Sequence, residues 1–151
     1  MLAGEITSTR AYLRAFGDDD RVASAAANDL MAEPLPVPAV TVVLEQGPVL
    51  MTVDYLLAPG NAEAFVNAAG ELRHMRRRTG ATRWHLHHDV RDADLFTETF
   101  LVGSWREHER QHARLGTRDR PVLDEIDGLL RPGQPRTAHH AFGVRAPRRK
   151  N

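Results

Sequence analysis

No cysteine occurs among the 151 residues. Disulfides and thiolate chemistry are therefore excluded, and the composition suits a reducing, cytoplasmic setting. Excess charge of one sign is missing as well, because 20 Lys and Arg balance 20 Asp and Glu. A neutral chain has no general attraction for nucleic acid or for acidic membrane, so neither is expected as a partner. No apolar run approaches the ~20 residues that span a bilayer, and the opening MLAGEITSTRAYLRAF is too polar for a signal peptide. Membrane insertion and secretion are not expected. Glycine-based signatures are also absent: there is no GxGxxG, P-loop or nucleophile elbow. Dinucleotide, nucleotide and serine-hydrolase chemistry thus lack their motifs.

Apolar residues make up 42% of the chain, enough for one domain with a real core. Residues 1–46 read as a helical arm and a proline-rich linker. Tyr12, Leu13 and Phe16 form one apolar patch ended by Gly17, and Asp18 to Asp20 suit the N-terminus of a second helix running to Met31. Pro34, Pro36 and Pro38 favour extended chain. The main domain is expected over residues 47–145, with a basic tail at 146–151. Val49, Met51, Val53, Tyr55 and Leu57 alternate as in a strand. Phe65, Ala68, Ala69, Leu72 and Met75 follow at helical spacing, and Arg76 to Arg78 read as its solvated end. Trp84 to Val90 and Phe96 to Val102 form a hairpin. Ser104 with Glu107 is a capping box opening a helix to about Leu115. Pro121 interrupts it before a turn or two from Val122 to Leu130, and residues 136–144 make a last strand. The order β-α-β-β-α-β is the ferredoxin-like split βαβ of an α+β domain. Strands two and three are expected to be central. Helices cover one face only, so a homodimer burying strand residues such as Val53, Tyr55 and Leu86 is expected.

From Gly47 onward, GPVLMTVDYLL, then R-x-x-G-A-x-R-W, then FTETFLVGSWREHERQHAR resemble a specific family. They look like the cytosolic C-terminal domain of major-facilitator exporters of the transmembrane secretion effector type. That domain is similar to the antibiotic-biosynthesis monooxygenase superfamily of dimeric α/β barrels. The likeness covers about the last two-thirds of the chain, and residues 1–45 carry none of it. It implies a cofactor-independent monooxygenase or isomerase of an aromatic or polyketide-like metabolite. The alternative it implies is a non-catalytic accessory or regulatory domain.

His108-Glu109-Arg110-Gln111-His112 spells HExxH, whose histidines share a helix face and can grip zinc. Arg110 and Gln111 are long and polar where such helices are buried, however, and no third-ligand pattern follows before His139 and His140. The resemblance accounts for His108, Gln111 and His112 without a metal, so neither metal nor cofactor is expected. By alternation His85 and His87 point one way with Arg83, while His88 points with Trp84 and Leu86. His85 and His87 are the candidate catalytic pair, since histidine exchanges protons near neutral pH. Arg83, Trp84, Phe65 and His139 are the candidate substrate-binding residues, with Asn61 or Asn67 as further polar groups. The expected ligand is a small aromatic molecule lying between the sheet and the helix that carries Phe65 to Met75.

Overall fold

A computed structural model describes residues 35–149. The helical arm expected over residues 1–32 lies outside them. The chain runs β1 (Val49–Leu56), α1 (Ala62–Arg78), β2 (Thr82–His88), β3 (Leu95–Val102), α2 (Trp105–Arg114), a 3-10 turn at Thr117–Asp119, α3 (Arg120–Gly128) and β4 (Thr137–Phe142). All strand pairs are antiparallel, in the order β2-β3-β1-β4. This is the ferredoxin-like arrangement read from the sequence.

Strand alternation sets the layers. On β1, Val49, Met51, Val53 and Tyr55 are buried under the helices, with Leu57 just past its end, as are Phe96, Phe100 and Val102 on β3. Helix α1 brings Phe65, Ala68, Leu72 and Met75 against them, joined by Leu115, Leu123 and Ile126. Burying a side chain such as Leu72 or Phe65 contributes about 1.5–3 kcal/mol each. A second cluster gathers Val49, Met51, Ala81, Phe100, Val102 and Trp105.

Four expectations need correction. Val53, Tyr55 and Leu86 face the helices, so they are not the residues left uncovered. The open face carries the other parity, among it Leu50, Thr52, Asp54, Leu95, Thr97, Thr99 and Leu101. Strand β2 is an edge rather than central, because β1 inserts between β3 and β4. Arg76 is no solvated helix end: it is 3% exposed and paired with Glu98. Pro121 sits in the first turn of α3, where its missing N–H costs nothing, so it opens that helix.

The segment before β1 belongs to this core. The Trp105 and Arg106 amides donate to the Gln46 and Leu44 carbonyls at 2.9 and 2.8 Å, completing the α2 N-terminus. Val42 and Leu44 pack on the Trp105 cluster. A Cβ on Gly47 would stand 2.1 Å from the Gly103 carbonyl oxygen, so this close approach requires glycine.

Candidate functional site

Helix α2 turns an unusual stripe toward the sheet. Ser104 Oγ accepts from the Glu107 amide at 3.1 Å and fixes where the helix begins. From there Trp105, His108, Gln111, His112 and Leu115 recur at helical spacing, and all are buried. Three of the five are polar. They meet His140, which β4 places opposite Met51 on the helix side of the sheet.

The rings of His108 and His112 stand edge to face, with centroids 4.6 Å apart. His108 Nε2 lies 2.9 Å from His140 Nε2. A relay determines the proton positions. Thr79 Oγ1 donates to the Met75 carbonyl at 3.0 Å and accepts from Gln111 Nε2 at 3.4 Å. Gln111 Oε1 therefore faces His108 Nδ1, at 3.2 Å, and accepts its proton. His108 is then the Nδ1–H tautomer, with its Nε2 lone pair turned toward His140. His112 Nδ1 is buried without a hydrogen-bond partner among the described residues. The three histidines border a cavity of about 20 Å³, closed by Met51, Val53, Phe100, Leu115 and Ala138, with Arg76 and Gln111 at its wall.

Burial keeps all three rings neutral. Desolvation pushes His108 well below the ordinary histidine value, helped by its two neighbours. Desolvation, with the Arg76 charge behind it, lowers His112 to about 4. Desolvation and then His139 lower His140 to about 4.

Beside this cavity lies a second polar cluster. The Glu98 carboxylate is fully buried and accepts from the Tyr55 hydroxyl at 2.7 Å, Trp84 Nε1 at 2.7 Å, and Arg76 Nε and Nη2 at 2.9 and 3.3 Å. Burial, then the Glu98 charge, holds the Tyr55 phenol well above its usual value, so it stays a donor.

The residues singled out in the sequence do not converge on one cavity. A bulge between Thr82 and His85 breaks the alternation, and Arg83 takes a φ of 49° there, exposed. His85 and His87 lie on the open face of the edge strand, ring centroids 6.1 Å apart, and His87 Nε2 meets Thr99 Oγ1 at 3.1 Å. His139 is on that face too, 3.8 Å from Asp54. Trp84 is on the opposite side, hydrogen-bonded to Glu98, and Phe65 is core, its ring packed at a tilt between those of Tyr55 and Phe96. Asn61 donates to the Leu129 carbonyl. The sequence reading missed Glu98, Arg76 and the convergence of His140. Parity was the available signal, since Glu98 stands between Phe96 and Phe100 on the buried face of β3 and a carboxylate there needs donors.

No helix among the described residues is long and apolar enough to cross a membrane. No curated protein matches the chain. Solved structures do. A proposed antibiotic biosynthesis monooxygenase of Bordetella bronchiseptica aligns over 66% of this chain and 99% of its own, at TM-score 0.56 and 18% identity. One from Caulobacter crescentus aligns over 68% and 94%, at TM-score 0.55 and 12% identity. A conserved protein of Methanosarcina mazei covers 64% and 94%, at TM-score 0.53 and 11% identity. At these identities the likeness is one of fold. The model of the transmembrane secretion effector family matches residues 1–148, which takes in the first 45 residues where the sequence had suggested no counterpart. This chain belongs to the transmembrane secretion effector family.

Proposed function

We propose that this chain is a dimeric α/β-barrel module of its family, working in the cytoplasm as a non-catalytic accessory or regulatory domain. The observation that carries this reading is volume. Sites for drug-sized organic ligands enclose about 300–1,000 Å³, whereas the enclosed cavity between sheet and helices holds about 20 Å³, room for roughly one water. A wider hollow of about 390 Å³ along Asp127 to Arg136 is open to solvent. The groups best suited to greet an aromatic substrate are engaged already, Trp84 with Glu98 and Phe65 with the core. The open sheet face, bearing Leu50 at 40% exposure beside Thr52, Thr99 and Leu101, is where a second copy would sit.

A second reading, a cofactor-independent monooxygenase or isomerase of an aromatic or polyketide-like metabolite, is favoured by the polar groups that converge on the cavity. In that reading His85, His87, Arg83 and His139 belong to the seam between subunits, and Trp84 and Phe65 to the wall of a pocket that must first open. Oxygen uptake and equilibrium binding, measured with polycyclic phenols on the full chain, separate the two. The accessory reading expects no saturable binding and no uptake. One ligand bound per chain, with oxygen consumed, would sink it. Native mass spectrometry at micromolar concentration tests the dimer, and a monomer alone would exclude it.

A further inference from the structure

Neither reading gives the three histidines of the cavity a role of their own. From their placement we infer that His108, His112 and His140 form a binding site for a divalent late-transition-metal ion, zinc foremost, with one coordination position left for water.

The geometry supports this first. One ligand nitrogen from each residue lies within 4.8 Å of the other two. A tetrahedral zinc with Zn–N near 2.0–2.1 Å needs its nitrogens about 3.3 Å apart. The observed set brackets that spacing, from 2.9 Å between the two Nε2 atoms to the 4.8 Å limit. Side-chain rotations on a fixed helix and strand can close the difference. Imidazole nitrogen is a ligand type suited to zinc, copper and nickel.

The surroundings support it second. A metal-bound histidine usually donates its other N–H to an oxygen that fixes its orientation. His108 Nδ1 does so to Gln111, which Thr79 anchors in turn. His112 Nδ1 is a buried polar atom lacking any partner among the described residues, a cost that a ligand would remove. The cavity has room for about one water beside the rings. Three protein ligands and one open position is the pattern of zinc sites that polarise bound water rather than only brace a fold. The one charge at the wall, Arg76, is paired with Glu98, which offsets part of its repulsion for a dication.

The sequence argued against a metal because no third ligand followed HExxH at a familiar spacing. The fold supplies it from β4, whose strand order sets His140 beside α2. The Glu at the centre of the motif has no part in the inference.

The test uses the full chain without a histidine tag. Calorimetric titration with Zn²⁺ should give one site per chain. Titration with Co²⁺ should give the intense visible bands of four-coordinate cobalt. His140→Gln, a change at the least buried ligand, should weaken binding by about a hundredfold or more, and Gln111→Ala by roughly 10- to 100-fold. The exposed pair changed together, His85→Gln with His87→Gln, should leave the affinity unaltered. Circular dichroism confirms that each variant is folded. If His140→Gln does not fold, His112→Gln takes its place, with the same expected loss. Absence of a stoichiometric site in the folded wild type overturns the inference. So does a site that survives His140→Gln, or one that vanishes with the exposed pair.

Discussion

Two buried polar clusters lie side by side under the helices, with Arg76 touching both, and they are built to opposite rules. Around Glu98 a full anion meets four N–H and O–H donors, and each of its oxygens accepts two of them. Around His108 three neutral rings share few donors, and His112 Nδ1 is left over. Buried polar groups are costly unless paired. The Glu98 cluster meets that demand internally and reads as a device that holds β1, β2, β3 and α1 in register. The histidine cluster does not meet it, and so reads as a place prepared for something else. Satisfaction of hydrogen bonds, rather than polarity or burial, distinguishes a structural polar core from a site.

Removing the keystone of the closed cluster should have the largest effect. Glu98→Ala leaves the Arg76 cation, the Tyr55 hydroxyl and the Trp84 N–H buried without their acceptor, and breaking a buried pair in this way costs about 3–5 kcal/mol. Urea denaturation of Glu98→Ala against wild type measures it. A loss below about 1 kcal/mol would mean water replaces the carboxylate, and the contrast between the clusters would collapse.

The open cluster should instead show itself through pH. His112 and His140 are lowered from the ordinary 6.5 to about 4 in the folded chain. Between those values the unfolded chain binds more protons than the folded one, so stability rises with pH there. It is complete above about 6.5 and falls away as pH drops toward 4. For the well-buried His112 alone the loss by pH 4 is on the order of 3 kcal/mol. His140, half-exposed, adds less because solvent screens it. Denaturation midpoints from pH 7.5 to 4 should show this slope, and His112→Gln should flatten it. A zinc ion bound to the cluster would steepen it, since only deprotonated rings bind metal.

A smaller effect concerns the boundary between arm and barrel. The proline spacing suggested that the domain starts at Gly47. The chain from Val42 to Gln46, however, packs on Trp105 and supplies two carbonyls to the start of α2. A chain beginning at residue 41 should keep the stability of the barrel. One beginning at 47 should lose about 1–3 kcal/mol, the worth of two helix-terminal hydrogen bonds and part of two apolar side chains. Equal melting temperatures for the two would restore the original boundary.

How far the sequence revealed all this follows from which signals are local. Alternation in Val49 to Leu57 and helical spacing from Phe65 to Met75 report burial of one face, so the four strands, the three α-helices and their ferredoxin-like order were readable, though the 3-10 turn at Thr117–Asp119 was not. The Ser104 cap was readable too. Strand order was not, because it depends on which edges pair across long separations, and with it went the placement of His85 and His87. The alternation itself held from Trp84 to His88, and the bulge at Arg83 and Trp84, which inserts a residue opposite Phe100, took only Arg83 out of it. His140 illustrates the same limit from the other side. Its partners are 28 and 32 residues away in the sequence, and only the pairing of β4 with β1 brings it to them.

The smallest effect expected is on that open face, and it returns to the original candidates. His85 and His87 lie on an edge strand, exposed, and among the described residues their contacts are one hydroxyl and each other's rings. Exposed substitutions away from caps, charges and strained backbone usually move stability by no more than about 0.5 kcal/mol. Replacing both with glutamine should therefore leave the urea midpoint of the monomer fold unchanged within that margin, whereas the same change at His108 or His112 should not. If the open faces pair in a dimer, the double variant has a second place to act. Two side chains changed at the seam should shift the dimer dissociation constant by a few-fold, since one hydrogen bond made across such a contact is worth about 0.5–1.5 kcal/mol. Sedimentation equilibrium measures that shift. A double variant that loses more than about 2 kcal/mol in the monomer fold would show these histidines to be structural. The difference between the two sides of the sheet would then have to be drawn elsewhere.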